Sequence, residues 1–498
     1  MPRRSPASRR QQQTVLVRHA RRGLTALLLA CGLSALSVAT ATAADDVSFT
    51  DAGFRRCVAG TLGQRSDVPV TRAQAETVTS LLCDFVPVGG LGGAQALTNL
   101  SSLDLSGSSG VDDLAPVAGL TGLRDLSVPG AHIGDLAPLE GLTGLTNLDV
   151  SDNPVADLAP LASLTNLRSL RVGGGTWTSL EPLRPLTALR RLDVRQDGPV
   201  DVSAVAALTQ LQQLTLGTPD VRDLSALRGL TGLTRLDVQA AATDVSALAP
   251  LAQLESLSLN VAGGDGAVLA GKPALTELSV FGVRLSSLDA LASSTDLSSL
   301  VVSTAGLKDV AGVSGLQQLG SVVLSGVDGA DLSPLGRLPG LSYLSVQDSR
   351  VTSLAGFGSF PALQTLQLSN DQISSLRGFT APPSLSSLDV SANRLSDLRA
   401  LPCSLLVNAL GQTVTKPAAQ KGRPYDLKLA SVIGQTVGLG TDPGWTSKGT
   451  AVTYTRTGDF SVPFASDGPP ECGGVQFGGT VRQKATTVGR VMRAPTDR

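Results

Sequence analysis

The stretch LTGLTNLDVSDNPVADLAPLASL, residues 142–164, decides the fold. Leu148 and Val150 alternate with polar residues, the period of a short strand with one buried face. From Val155 the apolar positions fall every three residues, at Leu158, Leu161 and Leu164, which suits a 3₁₀-like return whose side chains at i and i+3 eclipse on one face. Pro160 marks the start of that return, where an amide hydrogen is not needed. One such unit leaves an apolar side that only a neighbouring copy can cover, so stacked copies share a continuous core.

The anchor Leu145 recurs at Leu100, Leu123, Leu167, Leu189, Leu211, Leu233, Leu254, Leu275, Leu297, Leu319, Leu341, Leu363 and Leu385. The steps are one of 23, five of 22, two of 21 and five of 22 residues, giving fourteen repeats. Pro116, Pro138, Pro182 and Pro334 share the slot of Pro160. A helical array would need an unbroken 3.6-residue period, which the Leu-x-Leu and Gly/Pro punctuation interrupts. The leucines are therefore scaffold. Asparagine fills the turn slot only at Asn153 and Asn393, so the expected side-chain ladder is incomplete, and Trp177 takes an inward slot as core. Residues 260–274 fit the template worst, and a local distortion is expected there.

Composition narrows the function. The 498 residues are 16% charged and 3% aromatic, a poor supply of pocket walls and titratable groups for an enzyme. The two histidines, His19 and His132, leave too few for a histidine triad or a zinc cage. No cofactor or metal is expected, and the reading is that the protein is not an enzyme.

Residues 1–44 read as a signal peptide: seven arginines before residue 23, an uncharged apolar run from 23 to 44, and an Ala41-Thr42-Ala43 exit. Left uncleaved, that run would span a bilayer, and Leu28-Leu29-Ala30-Cys31 resembles a lipobox, so membrane retention or lipidation at Cys31 stays an alternative. Arg21-Arg22 also resembles a twin-arginine export signal. Removing the leader takes seven of the 40 basic residues and none of the 41 acidic ones, moving the net charge from −1 to −8. An acidic chain without a basic run argues against nucleic acid as partner. The four remaining cysteines form two sequence-local pairs, Cys57 with Cys83 and Cys403 with Cys472, expected as disulfides in an exported chain.

The run Leu142 to Val150 with Asp157-Leu158-Ala159-Pro160-Leu161 resembles the internalin-like, 22-residue class of bacterial leucine-rich repeat proteins. That resemblance implies an α/β leucine-rich repeat solenoid, a horseshoe with a parallel β concave face, a helical N-terminal cap and a C-terminal all-β Ig-like sandwich. For the cap, Phe54, Cys57, Val58 and Leu62 share a helical face, and Thr71 with Gln74 forms a capping-box pattern before Val78, Leu81 and Leu82. The expected domains are a signal peptide (1–44), the cap (45–98), about 14 repeats (99–404), the sandwich (405–486, with Trp445, Tyr454 and Phe460 in its core) and a polar tail (487–498). No Leu-Pro-x-Thr-Gly wall-sorting signal is present.

The expected function is a secreted or cell-surface binding protein, a monomer, that presents its concave face to a protein or acidic glycan; the alternative is an envelope spacer or lipid-anchored lipoprotein. Side chains two, four and six residues after each anchor should face solvent on the sheet. Most are small, but repeats four to seven place Arg171, Arg191, Asp193, Arg195, Arg235, Asp237 and Gln239 there, with Phe281 and Tyr343 in later repeats. Arginines suit carboxylate or phosphate groups through paired hydrogen bonds. These nine residues are the candidate ligand-binding set; the competing reading is a solvated charge ladder.

Overall fold

The computed structural model describes residues 45–487 except 84–85, 355–356, 403, 432–435 and 468–474. Leader, Cys31, Cys403, Cys472 and residues 488–498 lie outside the described residues. Among the described residues no helix is long and apolar enough to cross a membrane.

One sheet runs through the repeats. Its strands are β1 (Ser80–Leu82), β2 (Ser102–Asp104), β3 (Asp125–Ser127), β4 (Asn147–Val150), β5 (Ser169–Gly173), β6 (Arg191–Arg195), β7 (Gln213–Gly217) and β8 (Arg235–Ala240). They continue as β9 (Ser256–Val261), β10 (Glu277–Phe281), β11 (Ser299–Leu307), β12 (Ser321–Val327), β13 (Tyr343–Gln347), β14 (Thr365–Gln367), β15 (Ser387–Asp389) and β16 (Leu406–Thr415). Each pairs in parallel with the next, in the register that stacks repeat on repeat: Leu148 meets Leu126 and Leu170. Consecutive strands can be parallel because the chain returns between them, from β1 to β13 through a 3₁₀ segment in each unit, such as Ala159–Ser163.

In the unit of residues 142–164, Leu145, Leu148, Val150, Val155, Leu158, Leu161 and Leu164 are all buried. The returns are capped in a regular way: Asp135, Asp157, Asp201 and Asp223 each accept, through Oδ1, the amide two residues on, at 2.8 to 2.9 Å. Ser179 and Ser287 do the same with Oγ. The turn slot is filled unevenly, as the sequence suggests. The Asn153 amide donates to the carbonyls of Val128, Val150 and Ser151 while its Oδ1 accepts from the Ile133 amide. One repeat pair on, the longer Gln196, one residue before the slot, reaches the Gly175 carbonyl at 2.6 Å.

The distortion expected over 260–274 is local. The turn Gly266–Leu269 is capped by an extended Asp265, where other repeats have an apolar residue. Lys272 stands in a leucine slot of the repeat, fully buried, with Nζ donating to the carbonyls of Leu248 and Leu251 at 3.0 and 3.4 Å. Burial with no carboxylate partner lowers the pKa of that ammonium. Trp177 is buried, as its inward slot requires.

The first cap helix, α1 (Ala52–Thr61), starts where Asp51 accepts the Phe54 amide, and buries Phe54, Cys57 and Val58. Gly53 is required there: a Cβ would sit 2.0 Å from the Pro87 carbonyl oxygen. Thr71 and Gln74 form the expected capping box, but α2 (Arg72–Ala75) is only four residues long. The cap is not all helix: Leu81 and Leu82 belong to β1, with Leu81 buried and Leu82 65% exposed. Strand pairing explains this, because Leu81 registers with Leu103 and so continues the repeat pattern one unit upstream, with Val78 as its buried anchor. Cys57 and Cys83 form the expected disulfide, joining α1 to the residue after β1.

At the other end β16 is shared between the solenoid and the C-terminal all-β region. Its Leu406, Val407 and Asn408 register with Ser387, Leu388 and Asp389 of β15, and the strand then pairs in parallel with β23 (Val475–Thr486). Onto β23 are built β17 (Ala419–Gln420) and β22 (Gly458–Asp467), and β19 (Thr436–Leu439) pairs with β22; β18 (Pro424–Asp426), β21 (Ala451–Tyr454) and β20 (Trp445–Lys448) form a separate antiparallel sheet. Trp445, Tyr454 and Phe460 are buried in this all-β region. The Tyr454 hydroxyl meets Gln483 Oε1 at 2.7 Å, and burial pushes its pKa up to about 12.

Candidate functional site

Side-chain alternation along each strand leaves one row inside and one on the open face of the sheet. In β6, Arg191, Asp193 and Arg195 take the open face, with Leu192 and Val194 buried beneath. In β8 the open-face residues are Arg235, Asp237 and Gln239. Strand β7 lies between and registers Gln213, Thr215 and Gly217 with both sets. Because Gly217 has no side chain, the stem of Arg195 lies across it: a Cβ there would stand 3.3 Å from Arg195 Cγ. The depression so formed, about 210 Å³, is lined by Arg195, Asp197, Thr215, Asp237 and Gln239.

Charge pairing divides the arginines. Arg171 Nη1 lies 3.2 Å from Asp149 of β4, and Arg195 Nε 3.1 Å from Asp193. The Asp193 carboxylate raises the pKa of Arg195 further. Arg191 and Arg235 are exposed, two strands apart in register across Gln213, and form no ion pair among the described residues. The positive character read from four arginines thus rests on two of them.

Phe281, at the end of β10, is 39% exposed, between Asn260 and Ser303 of the adjoining strands. Tyr343 opens β13 and is half-buried; its hydroxyl donates to Gln367 Oε1 of β14 at 2.8 Å, and Gln347 Nε2 donates to the same oxygen at 3.0 Å. With strands about 4.8 Å apart, Phe281 stands about 10 Å beyond β8, and Tyr343 about 14 Å beyond Phe281. The structure therefore gathers Arg191, Arg195, Arg235, Asp237 and Gln239 over three strands and sets the two aromatics along the same face outside that cluster.

Two features escaped the open-face reading. Arg124, Arg168 and Arg190 directly follow their anchor leucines and are exposed where strands begin; counting one residue from each anchor would have found them. Asp371 takes the turn slot of Asn153 and Asn393, is 6% exposed, and has its Oδ2 without a hydrogen-bond partner. Burial raises its pKa to about 7, against the amides of Ser349 and Val351, which lower it. Among the described residues no three His, Cys, Asp or Glu side chains stand together as a metal site.

A family model described as a leucine-rich repeat region matches residues 96–407. No curated protein matches the chain. Among solved structures, the chain is similar to an internalin, InlF, from Listeria monocytogenes, at 27% identity and a TM-score of 0.60, over 69% of this chain and 96% of that one. The functional domain of InlJ from the same organism aligns over 88% of this chain and 97% of its own, with a TM-score of 0.59 at 19% identity. A leucine-rich repeat protein of Leptospira interrogans shares the fold, with a TM-score of 0.52 at 18% identity over 65% of this chain and 93% of its own.

Proposed function

The chain belongs to the leucine-rich repeat family, and from that premise we propose that it is an exported binding protein whose concave sheet face takes a protein partner. The carrying observation is the contrast along that face: a floor of small polar residues interrupted by long or aromatic exposed side chains at Arg191, Arg235, Gln239 and Phe281. An exposed Phe281 has no core to fill, and aromatic and arginine side chains are the usual anchors of a protein interface. In this reading residues 1–44 direct export, Cys403 pairs with Cys472, and the all-β region at 405–486 is an Ig-like sandwich after the repeats. The antiparallel pairing of β18, β20 and β21 around buried Trp445 and Tyr454 supports the last point.

The experiment is capture of partners from envelope and foreign-cell extracts with the full chain, followed by Gln239→Ala, Phe281→Ser and Tyr343→Ser on any saturable partner. A binding face predicts recovery of a discrete protein and about tenfold or greater weakening by Phe281→Ser. Uniformly weak recovery, untouched by these changes, overturns the reading in favour of a spacer.

A further inference from the structure

The residue after each anchor leucine joins the sheet before its strand begins, so these residues form a rim along the strand-start edge. Their backbones are linked one to the next: Thr146 donates to Arg124, Arg168 to Thr146, Arg190 to Arg168, Gln212 to Arg190 and Thr234 to Gln212, each at 2.8 Å. Arg124, Arg168 and Arg190 thus lie on one ladder, and Arg191 and Arg235 follow one residue later on β6 and β8. All five are exposed, and none forms an ion pair among the described residues. Arg124 is also laid in place: a Cβ at Gly144 would fall 1.7 Å from its Nη1, so its guanidinium occupies the space a larger residue would take. Acidic residues bound the stripe at both ends: half-buried Asp125, which shares the row of Arg191 at the start of β3 and accepts from Asn147 Nδ2, and exposed Glu255, next on the ladder, with Glu277 at the start of β10.

We propose that this rim binds an extended, carboxylate-rich polypeptide segment lying across the strand starts from β3 to β8. Five strand steps of about 4.8 Å make about 24 Å, the length of roughly seven extended residues. Unpaired guanidiniums give charge-assisted, paired hydrogen bonds to carboxylates. The polar residues between them, Thr146, Gln212 and Gln213, offer hydrogen bonds to peptide groups. The rim holds no aromatic ring to stack on a sugar and no apolar anchor for a folded partner's hot spot, which leaves a flexible acidic chain as the occupant that fits. The inference deepens the binding role proposed for the repeats by naming the partner's chemistry, and rests on it only in taking the repeats to be a binding surface.

Fluorescence anisotropy of the full chain tests it with three probes: a labelled peptide of about a dozen residues alternating glutamate and serine, the same peptide with glutamine for glutamate, and an oligogalacturonate. The expected result is salt-sensitive binding of the glutamate peptide alone. Arg190→Ser with Arg191→Ser should weaken it about fourfold to tenfold, taking exposed pairs at roughly twofold to threefold each. Arg168→Glu should weaken it further, and Arg377→Ser, an exposed arginine between β14 and β15 and away from the rim, should leave it unchanged. Equal binding of the glutamine peptide, tighter binding of the oligogalacturonate, or unchanged affinity in both rim variants with an unaltered melting transition overturns the proposal. The failure is separable from that of the concave-face reading, because Gln239 and Phe281, which test the latter, lie late in their strands, and Tyr343 opens β13, five strands beyond β8.

Discussion

Asp371 should make the solenoid lose stability as pH rises through neutrality, and Asp371→Asn should remove that loss. In the equivalent slot the Asn393 amide donates to the carbonyls of Leu368, Val390 and Ser391, and its Oδ1 accepts the Ile373 amide. Asp371 reproduces the accepting half, its Oδ1 taking the Ser349 amide at 2.9 Å. A carboxylate cannot reproduce the donating half; only the neutral acid has a hydrogen to give. Burial accordingly raises its pKa from 3.8 to about 7, helped by the nearby Asp348 charge. The sign comes from proton binding: between about pH 4 and 7 the folded state keeps a proton that the unfolded chain has released, so unfolding becomes easier as pH rises. The contribution is complete below about pH 4 and gone above the folded pKa, a difference of about 2 to 4 kcal/mol. The assay is urea unfolding at pH 5 and pH 8, with Trp177→Phe in the background so that Trp445 alone reports, since the chain has two tryptophans. Asp371→Asn should gain about 2 kcal/mol or more over the parent on going from about pH 5 to 8. An equal gap at both values would refute the reasoning.

Lys272→Met should melt within about 1 kcal/mol of the parent or above it, because it fills the leucine slot without burying an ammonium, whereas Lys272→Ala should lose about 2 to 4 kcal/mol by leaving a cavity; equal melting of the two would show that the lysine does not fill the slot. Gly53→Ala should destabilise the cap by about 2 kcal/mol or more through the clash with the Pro87 carbonyl, read as lost hydrogen-exchange protection in α1 and β1 with the later repeats unchanged. Replacing Cys57 and Cys83 by alanine should cost roughly 3 to 4 kcal/mol for a bridge spanning 26 residues, seen as a lower melting temperature; an unchanged transition would mean that the cap frays independently of the disulfide.

The repeats were legible because a 22-residue period overdetermines them: a strand, a turn and a 3₁₀ return each leave an apolar signature, and fourteen copies average out local exceptions. The ends were less so, since only one neighbour constrains them. Val78 and Leu81 carry the repeat pattern into the cap, but the capping box at Thr71 suggests a longer helix than the four residues formed. Similarly, the period stops after Leu401 while the sheet continues into β16, because register with β15 needs only Leu406 to Asn408 to be extended. For the candidate site, the alternation of β6 and β8 placed Arg191, Arg195, Arg235, Asp237 and Gln239 correctly on one face. Which arginines are free was not readable: Asp149 lies 22 residues before Arg171, and its role depends on which rotamers meet across two strands.

The acidic balance of the chain also changes meaning once the caps are placed. Asp113, Asp135, Asp157, Asp201, Asp223, Asp244, Asp265, Asp309 and Asp331 each accept the amide two residues on at the start of a 3₁₀ return. For Asp201, Asp244 and Asp331 the accepted backbone hydrogen bond is the leading cause of a lowered pKa, so their charge belongs to the folded backbone. These carboxylates are repeated because each return has amides to satisfy, and they lie away from the strand starts. The net charge of −8 over residues 45–498 is therefore largely a property of the scaffold and does not forecast a basic partner. Along the strand-start edge from β3 to β8, Arg124, Arg168, Arg190, Arg191 and Arg235 are left without an ion pair among the described residues, and it is their sign on which the proposed acidic partner rests.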